Sequence, residues 1–525
     1  MARSLDFKIL LRLLQQETDS CSFKQERRDF LKKTLGGSVA TLALAGCGTF
    51  DRWVLGDSNR LEQEVMILGG GLAGMSAAYH LKKNKVPYRL YEASGRVGGR
   101  IQTLFHFNDD AQFAELGAEV FEATHKLTIQ MCKDLSLAIQ DISYDTKMDR
   151  SIYWLGGKVV SEKEFRKNLK PLAVRLAQFR RDLFSAAGSE FTAKSLLSHS
   201  NIALFDNQSL ADLLNPLRTT MDLPTLESFE NLCVSEWGVD SKYINLLHFL
   251  VRLDFEEKNN QTTPLRLYRV EGGMSRMVQI LSERVQGIVP DANLKLEHQL
   301  VAVRARAGGY DCTFKTPKGS DTVWARQVIC AMPWSMLKDV DGVQGLELGL
   351  KKELIAQATY GTHSKVISSF KDPVWRKKNK SPYAFQGSLR GQLLGQNYWD
   401  SSRGQPGNRG LLVSQRGGAS GQSMGAGAAQ ETLQDLRRFF KDAAAEEAAH
   451  MANWSQKPFA KGSRYNLLPG SYLKYLAALE EEVENESFYF AGEHMSFQYG
   501  GTMNGAIATG TAAAEKALQK VLARA

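Results

Sequence analysis

The feature that most constrains the fold of this chain is an apolar strand that runs directly into a glycine-rich turn. Glu64 to Leu68 has the composition of a short buried strand, Gly69 to Gly74 reads GGGLAG, and Met75 to Lys83 has the pattern of a helix. Glycines allow a tight turn and let the backbone approach a pyrophosphate, whose charge the helix N-terminus attracts. The order strand, turn, helix therefore predicts a dinucleotide-binding unit. The predicted backbone contacts are Gly69, Gly71, Leu72, Ala73 and Gly74.

An acidic residue in the expected place supports this prediction. Tyr88 to Tyr91 has the composition of a second strand, and Glu92 follows it, 18 residues after Gly74. A carboxylate there accepts hydrogen bonds from ribose hydroxyls and repels a 2′-phosphate. NAD and FAD share these requirements, so the choice between them depends on the rest of the chain.

Further glycine-rich segments favour FAD. Ala93 to Arg100 is a second glycine loop with two arginines, Phe488 to Glu493 is a strand that runs into a Gly-Glu turn, and Tyr499 to Ala506 opens a small-residue helix. Together these segments resemble the flavin amine oxidase family, which includes the monoamine, polyamine and L-amino-acid oxidases. The resemblance implies that FAD is the cofactor. It also implies that the positive end of the last helix stabilises the negative charge of reduced flavin.

The resemblance extends through most of the chain. Glu115 to Glu119 is similar to the segment that passes over the flavin ring, and His298 to Val303 to the strand that contacts the adenine. Val328 to Pro333 is similar to the apolar strand and proline turn that return to the nucleotide domain. By this resemblance the further FAD contacts are Ala93, Arg96, Gly98, Gly99, Arg100, Gly117, Ala118, Glu119, Leu300, Val301, Gly492, Glu493, Gly501, Thr502 and Met503.

A length of 525 residues predicts two or three packed units, and the resemblance implies two. We expect an α/β fold, with a Rossmann-like FAD-binding domain and a mixed α+β substrate domain inserted in two segments. The expected FAD-binding domain comprises residues 63–150, 262–360 and 454–525, and the substrate domain comprises residues 151–261 and 361–453.

The two inserted segments differ in pattern. The first has helical periodicity from about Ser151, with an apolar stripe that includes Leu169, Leu172 and Leu176 and is expected to be core. In the second, Gly404 to Gly427 is rich in Gly, Ser, Gln and Asn, which predicts a flexible loop or turn cluster.

The candidate catalytic residues are a lysine and a tryptophan. Gly361 to Phe370 is a predicted strand, and Lys365 within it matches the family lysine that hydrogen-bonds a water beside flavin N5. A cation there would assist reoxidation by stabilising the anion that forms when reduced flavin meets oxygen. Trp454 matches a tryptophan packed beside that water and the flavin. Without the resemblance, a solvated edge lysine and a core tryptophan would be the expected interpretations.

Three residues depart from the monoamine oxidases. Ser463 replaces the cysteine that is bonded covalently to their flavin, so we expect non-covalent FAD. Arg464 and Thr502 replace the two aromatic walls of their substrate cage. A guanidinium is shaped for bidentate pairing with a carboxylate, so Arg464 and Thr502 are candidate substrate residues for an amino acid. Alternatively, Arg464 turns away and pairs with a protein acid.

The implied reaction is oxidation of an amine or amino acid by hydride transfer to the flavin. It gives an imine and, with oxygen as the acceptor, hydrogen peroxide; another electron acceptor is also compatible. Glu119, His363 and His494 are possible proton-transfer groups, although a core or helix-terminal role is expected for each. The alternatives are a flavin desaturase or isomerase of the carotenoid-desaturase kind and a non-catalytic flavin electron-transfer subunit.

The N-terminus has the pattern of an export signal. Arg27 and Arg28 precede Phe-Leu-Lys, and the apolar stretch Thr34 to Gly46 is too short for the roughly 20 residues of a membrane span. Leu44 to Cys47 then resembles a bacterial lipobox. We expect a twin-arginine lipoprotein signal at residues 1–46, a lipid on Cys47, a tether at residues 47–62, and a periplasmic or cell-envelope protein anchored to a membrane. The alternative is a basic amphipathic helix followed by a chance Leu-Ala-Gly-Cys.

Composition excludes several other classes. The net charge of +9 is spread along the chain, and no basic run with interleaved aromatics indicates a nucleic-acid partner. Neither a CxxC motif nor a Cys/His cluster of zinc spacing occurs, so no metal site is expected. Cys132, Cys233, Cys312 and Cys330 are expected to be buried apolar residues.

Overall fold

The computed structural model describes Leu13 and residues 65–143, 151–187, 192–198, 202–262, 266–286, 293–377, 388–481 and 487–524. Cys47, the tether at residues 47–62 and, apart from Leu13, the predicted export signal at residues 1–46 lie outside the described residues.

The glycine-rich turn opens at one edge of a five-stranded parallel sheet. Val65–Leu68 is the central strand and is buried at all four residues, as expected where both faces of a parallel sheet are covered. Parallel strands end at a common edge, so the turns after these strands open toward the same place. In spatial order the strands are Leu294–Lys295, Tyr88–Tyr91, Val65–Leu68, Gln327–Cys330 and Phe488–Phe490.

Helices Leu72–Lys83 and Met503–Leu522 pack tightly against each other. Their close approach requires a glycine, because a Cβ on Gly510 would lie 2.2 Å from the carbonyl oxygen of Ala73. These two helices therefore lie side by side next to the parallel sheet.

A seven-stranded sheet combines strands from both predicted insertions. Two of its strands come from the first inserted segment and five from the second, so the two segments build one layer. In spatial order its strands are Ala448–Asn453, Ser364–Phe370, Gly410–Arg416, Asn397–Asp400, Ser388–Gly391, Ser151–Leu155 and Lys158–Ser161.

Two local sequence predictions are wrong here. The first insertion begins with the hairpin Ser151–Leu155 and Lys158–Ser161 rather than with a helix. The predicted flexible loop at Gly404 to Gly427 contains the strand Gly410–Arg416, which is buried at all seven residues. Pairing with strands on both sides stabilises this segment, and the small and polar residues around its short Leu-Leu-Val run obscured the strand.

The rest of the first insertion is helical, as expected. Leu169, Leu172 and Leu176 are fully buried in a large apolar core, which confirms that their stripe is structural. The four predicted structural cysteines are buried free thiols. Within the described residues, no helix has both the length and the apolarity needed to cross a membrane.

The remaining elements surround these two sheets. The other helices are Lys126–Asp134, Glu162–Asn168, Lys170–Ala187, Ala193–Leu197, Ala203–Asp206, Leu210–Leu214, Leu223–Trp237, Leu246–Thr262, Ser275–Val285, Trp334–Leu337, Lys351–Ala356, Gly418–Gln422, Ala428–Phe439 and Tyr472–Glu480. Short 3-10 helices span Asn215–Thr219, Ser241–Tyr243, Val343–Gly345, Val374–Arg376, Trp454–Gln456 and Glu493–Met495. Smaller sheets contain Thr103–Leu104 with Ala114–Glu115, Phe121–Glu122 with Leu267–Val270 and Ile139–Asp141, Gln299–Arg306 with Gly309–Thr316 and Gly319–Ala325, and Thr359–Tyr360 with Tyr465–Asn466.

Candidate functional site

A cavity of about 760 Å³ runs along the edge of the parallel sheet. This volume is typical of ligand and cofactor sites. The cavity brings together residues predicted from widely separated parts of the chain. The predicted residues in its lining are Gly69, Gly71, Leu72, Ala73, Glu92, Ala93, Arg96, Gly98, Gly99, Arg100, Gly117, Ala118, Leu300, Val301, Lys365, Trp454, Gly492, Glu493, Gly501, Thr502 and Met503. Gly74, Glu119 and Arg464 lie outside this lining.

The first glycine turn forms an open cradle at a helix N-terminus. Gly69 has φ +103°, a conformation that side chains disfavour, and Gly71 caps the helix with nothing within 4 Å of a Cβ built on it. The first N–H groups of a helix have no acceptor within it, so they attract an anion. Leu72 and Ala73 provide such groups at the cavity wall.

Two glycines allow the backbone to pack closely around this cradle. A Cβ on Gly74 would lie 2.0 Å from the carbonyl oxygen of Gly69. Gly74 therefore lets the helix pack against the turn and does not itself line the cavity. A Cβ on Gly117 would lie 1.9 Å from the carbonyl oxygen of Arg100 and 2.9 Å from the indole ring of Trp454. A larger residue at either position would displace a wall of the cavity.

Glu92 lies at the end of the second strand with its carboxylate already oriented. Its Oε2 accepts from the Gly70 N–H at 2.7 Å, and its Oε1 accepts from the N–H and hydroxyl of Ser94 at 2.9 and 2.7 Å. The side chain lines the cavity and is 8% exposed. Carboxylate oxygens retain further acceptor capacity, so Glu92 can accept a ribose hydroxyl.

An ion pair closes the opposite side of the cavity. Arg100 Nη1 lies 2.8 Å from Glu493 Oε1 and 2.6 Å from the carbonyl oxygen of Ser463. Glu493 Oε2 accepts from the Gly501 N–H at 2.8 Å. Burial opposes the charged carboxylate, but the charge and hydrogen bond of Arg100 hold the pKa of Glu493 below its usual value.

Arg96 stiffens the second glycine loop rather than pairing with an acid. Its guanidinium donates to the carbonyl oxygens of Val97, Ile101 and Gly99 at 3.1, 3.1 and 2.6 Å. Burial lowers the pKa of Arg96. The side chain therefore holds the loop over the cavity.

These features fit FAD. The cavity has two helix N-termini for a pyrophosphate and for a developing anion, and a buried carboxylate for a ribose. Its apolar lining residues include Leu300, Val301 and Phe314. Within the described residues, both ring nitrogens of the buried His494 at the wall lack a hydrogen-bond partner, as expected of a group that faces a polar ligand.

Lys365 and Trp454 meet at one wall of the cavity. The Lys365 ammonium donates to the carbonyl oxygens of Glu115 and Gly117 at 3.2 and 2.9 Å and lies 3.3 Å from Glu119 Oε2. Trp454 Nε1 donates to the carbonyl oxygen of Leu116 at 2.8 Å. These three acceptors match the three N–H groups of the ammonium. A water that binds Lys365 must therefore share an N–H group with one of these acceptors or replace that acceptor.

Glu119 lies behind this wall as the ion-pair partner of Lys365. Its other oxygen accepts from Ser401 Oγ at 2.7 Å and from Trp399 Nε1 at 3.0 Å. The side chains of Glu119 and Lys365 are both 6% exposed. Glu119 does not line the cavity and protein groups occupy its carboxylate, so its contact with the cofactor stays a prediction.

The two predicted substrate residues are also used by the protein. Arg464 donates to the carbonyl oxygens of Glu236 and Gly500 at 3.0 and 3.2 Å and lies over the Trp237 ring. Thr502 lines the cavity, but its hydroxyl caps the last helix by accepting from the Gly505 N–H at 3.1 Å. Pairing of Arg464 with a substrate carboxylate would require it to leave these carbonyls.

His363 contributes to the wall, although a core role was expected. Ser463 donates its only hydroxyl proton to the carbonyl oxygen of Gly361 at 2.8 Å, so its oxygen must accept from His363 Nδ1 at 2.5 Å. Burial, together with the charge of Arg464, lowers the pKa of His363 to about 3. The ring is therefore neutral, with its proton on Nδ1. The signal was its spacing of two residues from Lys365, which places both on one face of the chain.

Other lining residues had no signal in the sequence. Gln415 lies opposite Lys365 in the neighbouring strand and donates to the carbonyl oxygen of Ser235 at 2.7 Å. A loop of residues 457–461 also reaches the cavity. Only strand register and loop path bring these residues to the site.

Comparison with protein families gives one match to most of the chain. The model of the family described as flavin-containing amine oxidoreductase matches residues 72–518.

Curated relatives align over nearly their whole length. The flavin-dependent L-tryptophan oxidase RebO of Lentzea aerocolonigenes is 26% identical over 470 residues, which is 83% of this chain and 94% of that protein. Human flavin-containing amine oxidase B is 23% identical over 471 residues, which is 87% of this chain and 86% of that protein.

Solved structures share the fold. Cyclohexylamine oxidase from Brevibacterium oxydans superimposes with a TM-score of 0.72 at 20% identity and covers 87% of this chain and 99% of its own. Putrescine oxidase bound to putrescine superimposes with a TM-score of 0.70 at 18% identity, with the same coverage.

Proposed function

The chain belongs to the flavin-containing amine oxidoreductase family, whose cofactor is FAD, and from this premise we propose that it oxidises a small amine or amino acid to the imine. Oxygen is the proposed acceptor, and hydrogen peroxide the second product. The observation that carries this proposal is that Lys365 and Trp454 share one cavity with the dinucleotide cradle at Gly71 and Glu92.

The cavity residues indicate how the protein would hold FAD and what chemistry FAD would supply. Bound FAD would supply the acceptor for a hydride from the carbon beside the amine nitrogen and the route for both electrons to oxygen. The helix N-terminus at Leu72 would bind the pyrophosphate, and Glu92 would accept a hydrogen bond from a ribose hydroxyl. The Arg100–Glu493 pair holds two segments of the wall together. The N-terminus of helix Met503–Leu522 supplies a positive field for an anion.

The residues around the reacting carbon exclude water and hold fixed charge. Trp454 is 5% exposed and packs against Gly117, and Lys365 is buried. His363 is neutral, and its Nδ1 proton is held on Ser463. Because no side chain here is a strong base at neutral pH, the proposed substrate is the unprotonated amine, which loses a hydride and then a proton to give the imine.

The choice of amine remains broad within this proposal. Relatives named for L-tryptophan and for putrescine support an amine bearing a hydrogen on its α-carbon. Selection of a carboxylate by Arg464 is not required, since its guanidinium already donates to Glu236 and Gly500.

Anaerobic reduction of the purified holoprotein tests the proposal. Amines and amino acids should bleach the flavin absorbance, and admitting oxygen should restore it with one peroxide formed per amine consumed. A matched amine without hydrogen on the α-carbon should leave the spectrum unchanged. A flavin that only dithionite reduces would indicate an electron-transfer subunit. Bleaching by a polyene but not by any amine would indicate a desaturase.

We also propose that the protein is exported by the twin-arginine route and anchored through a lipid on Cys47. Support comes from Arg27 and Arg28, the apolar stretch Thr34 to Gly46, and the Leu-Ala-Gly-Cys order at its end. Replacing both arginines with lysine should retain the precursor in the cytoplasm. Cys47→Ala should permit export but abolish acyl labelling, and a Cys47→Ala protein that still fractionates with membranes would argue against the anchor.

A further inference from the structure

The buried ion pair between Lys365 and Glu119 joins the two halves of the site. Lys365 lies in strand Ser364–Phe370 of the seven-stranded sheet. Glu119 ends the segment Glu115 to Glu119, which packs over that strand. Lys365 lines the cavity, while Glu119 lies behind it. The pair is therefore a dipole whose positive end faces the cavity.

The surroundings of Glu119 favour its charged form. Ser401 Oγ and Trp399 Nε1 both donate to Glu119 Oε1, and Lys365 Nζ donates to Oε2 at 3.3 Å. Burial alone would raise the pKa of Glu119, but the Lys365 charge and these hydrogen bonds hold it below its usual value. The carboxylate therefore stays ionised and neutralises most of the ammonium charge.

The other charged groups near the pair do not replace Glu119. Arg269 donates to the carbonyl oxygen of Ser401 at 2.8 Å and to Gln140, and its positive charge also helps to keep Glu119 ionised. Burial raises the pKa of Glu115 to about 8, so this carboxyl is uncharged at pH 6. Its oxygens accept from the Met274 N–H and the Thr103 hydroxyl.

We propose that Glu119 is a positioning residue that fixes the Lys365 ammonium at the cavity wall and sets the electrostatic potential experienced by the bound cofactor. This inference rests on the proposed function, because it assumes that FAD occupies the cavity. Its physical basis is that a cation beside a group that gains negative charge on reduction favours reduction, and a partner carboxylate weakens that effect.

The test is the flavin midpoint potential of the holoprotein, measured for wild type and Glu119→Gln at pH 6. The variant should be shifted to a more positive potential than wild type, because the ammonium charge is no longer compensated. A purely structural role for Glu119 would not produce a positive shift that depends on the presence of Lys365.

Three further variants make the result specific. Glu115→Gln removes a buried carboxyl that is neutral at pH 6, so its potential at that pH should equal that of wild type. The double variant Lys365→Met, Glu119→Gln should lose the positive shift. Ser401→Ala removes a hydroxyl dipole that offsets part of the Glu119 charge, so it should give a smaller shift of the opposite sign, which keeps the test open if Glu119→Gln does not fold.

The outcomes separate this inference from the proposed function. A wild type that binds no FAD, or whose flavin no amine reduces, would overturn the proposed function. A wild type reduced by amines, with Glu119→Gln at the wild-type potential, would overturn only the role of Glu119. A double variant shifted as far as Glu119→Gln alone would also overturn it, because the effect would not pass through Lys365.

Discussion

The guanidinium of Arg100 and the carboxylate of Glu493 form a 2.8 Å ion pair that joins segments 393 residues apart in the sequence. The pair ties the second glycine loop to the turn before the last helix. The same carboxylate accepts from the Gly501 and Tyr465 N–H groups at 2.8 and 3.3 Å. Both ends of the chain therefore depend on one buried carboxylate to shape the cavity.

Replacing Glu493 with alanine should lower both stability and FAD affinity. Removing one partner of a largely buried pair leaves the other charge uncompensated, which costs on the order of 3 kcal/mol. Urea unfolding with saturating FAD and FAD titration of the apoprotein measure the two effects. Asp311→Ala, which breaks the more exposed pair with Arg306, should change stability by less than about 1 kcal/mol. Equal effects of the two variants would contradict the role of Glu493.

Glu92→Ala should weaken FAD binding by roughly tenfold or more. Hydrogen bonds to a charged acceptor are each worth about 1.5–3 kcal/mol, and the variant also frees the Gly70 N–H that Glu92 holds at 2.7 Å. Ser94→Ala is a milder comparison, because it removes the hydroxyl bonds to this carboxylate and to the Arg96 backbone but leaves the carboxylate itself in place. FAD titrations that give the same dissociation constant for wild type and Glu92→Ala would refute the assignment.

Acid or heat should release intact FAD from the purified protein. Ser463 provides no thiol for a covalent link, and its hydroxyl is engaged with Gly361 and His363. The measurement is the flavin absorbance and mass of the supernatant after precipitation, compared with those of the pellet. Recovery of a flavin-modified peptide from the pellet would contradict non-covalent binding.

Backbone requirements made the nucleotide half of the site predictable from the sequence. Gly69 has φ +103°, and a Cβ on Gly74 would lie 2.0 Å from the carbonyl oxygen of Gly69, so both positions leave few alternatives to glycine. Glu92 was predictable for the same reason, because it must end the second strand. Such motifs encode local geometry, and local geometry is what a sequence expresses most directly.

Side-chain partners across the two insertions were not predictable. Lys365 was identified, but its pairing with Glu119 depends on how strand Ser364–Phe370 packs under Glu115 to Glu119. Gln415 reaches the cavity only through its register with Lys365. The strand Gly410–Arg416 was mistaken for a loop, because its stability comes from neighbours on both sides rather than from apolar alternation.

Lys365→Met should slow reoxidation by oxygen more than reduction by substrate. Reoxidation begins with electron transfer to oxygen, which a nearby cation favours, whereas reduction transfers a hydride. Stopped-flow absorbance of the two half-reactions measures each rate separately. Equal slowing of both half-reactions would indicate that Lys365 serves only to hold Glu119 and the carbonyls of Glu115 and Gly117.

Glu115 should make folding stability fall as the pH rises. Burial raises its pKa from 4.5 to about 8. Below pH 4.5 the carboxyl is protonated in both states, so stability is full. Between pH 4.5 and 8 the unfolded chain releases the proton while the folded chain keeps it, so the free energy of unfolding declines, and above pH 8 the decline stops.

Glu115→Gln should abolish this decline, because an amide does not titrate in this range. The measurement is urea unfolding of wild type and variant, with saturating FAD, at intervals from pH 5 to pH 9. Glu119→Gln is the matched control with the opposite sign, since the pKa of Glu119 is lowered. Its stabilising contribution is present above pH 4.5 and is lost only as the pH falls through the lowered pKa. Parallel stability curves for wild type and Glu115→Gln between pH 5 and 8 would show that Glu115 is already ionised in the folded protein.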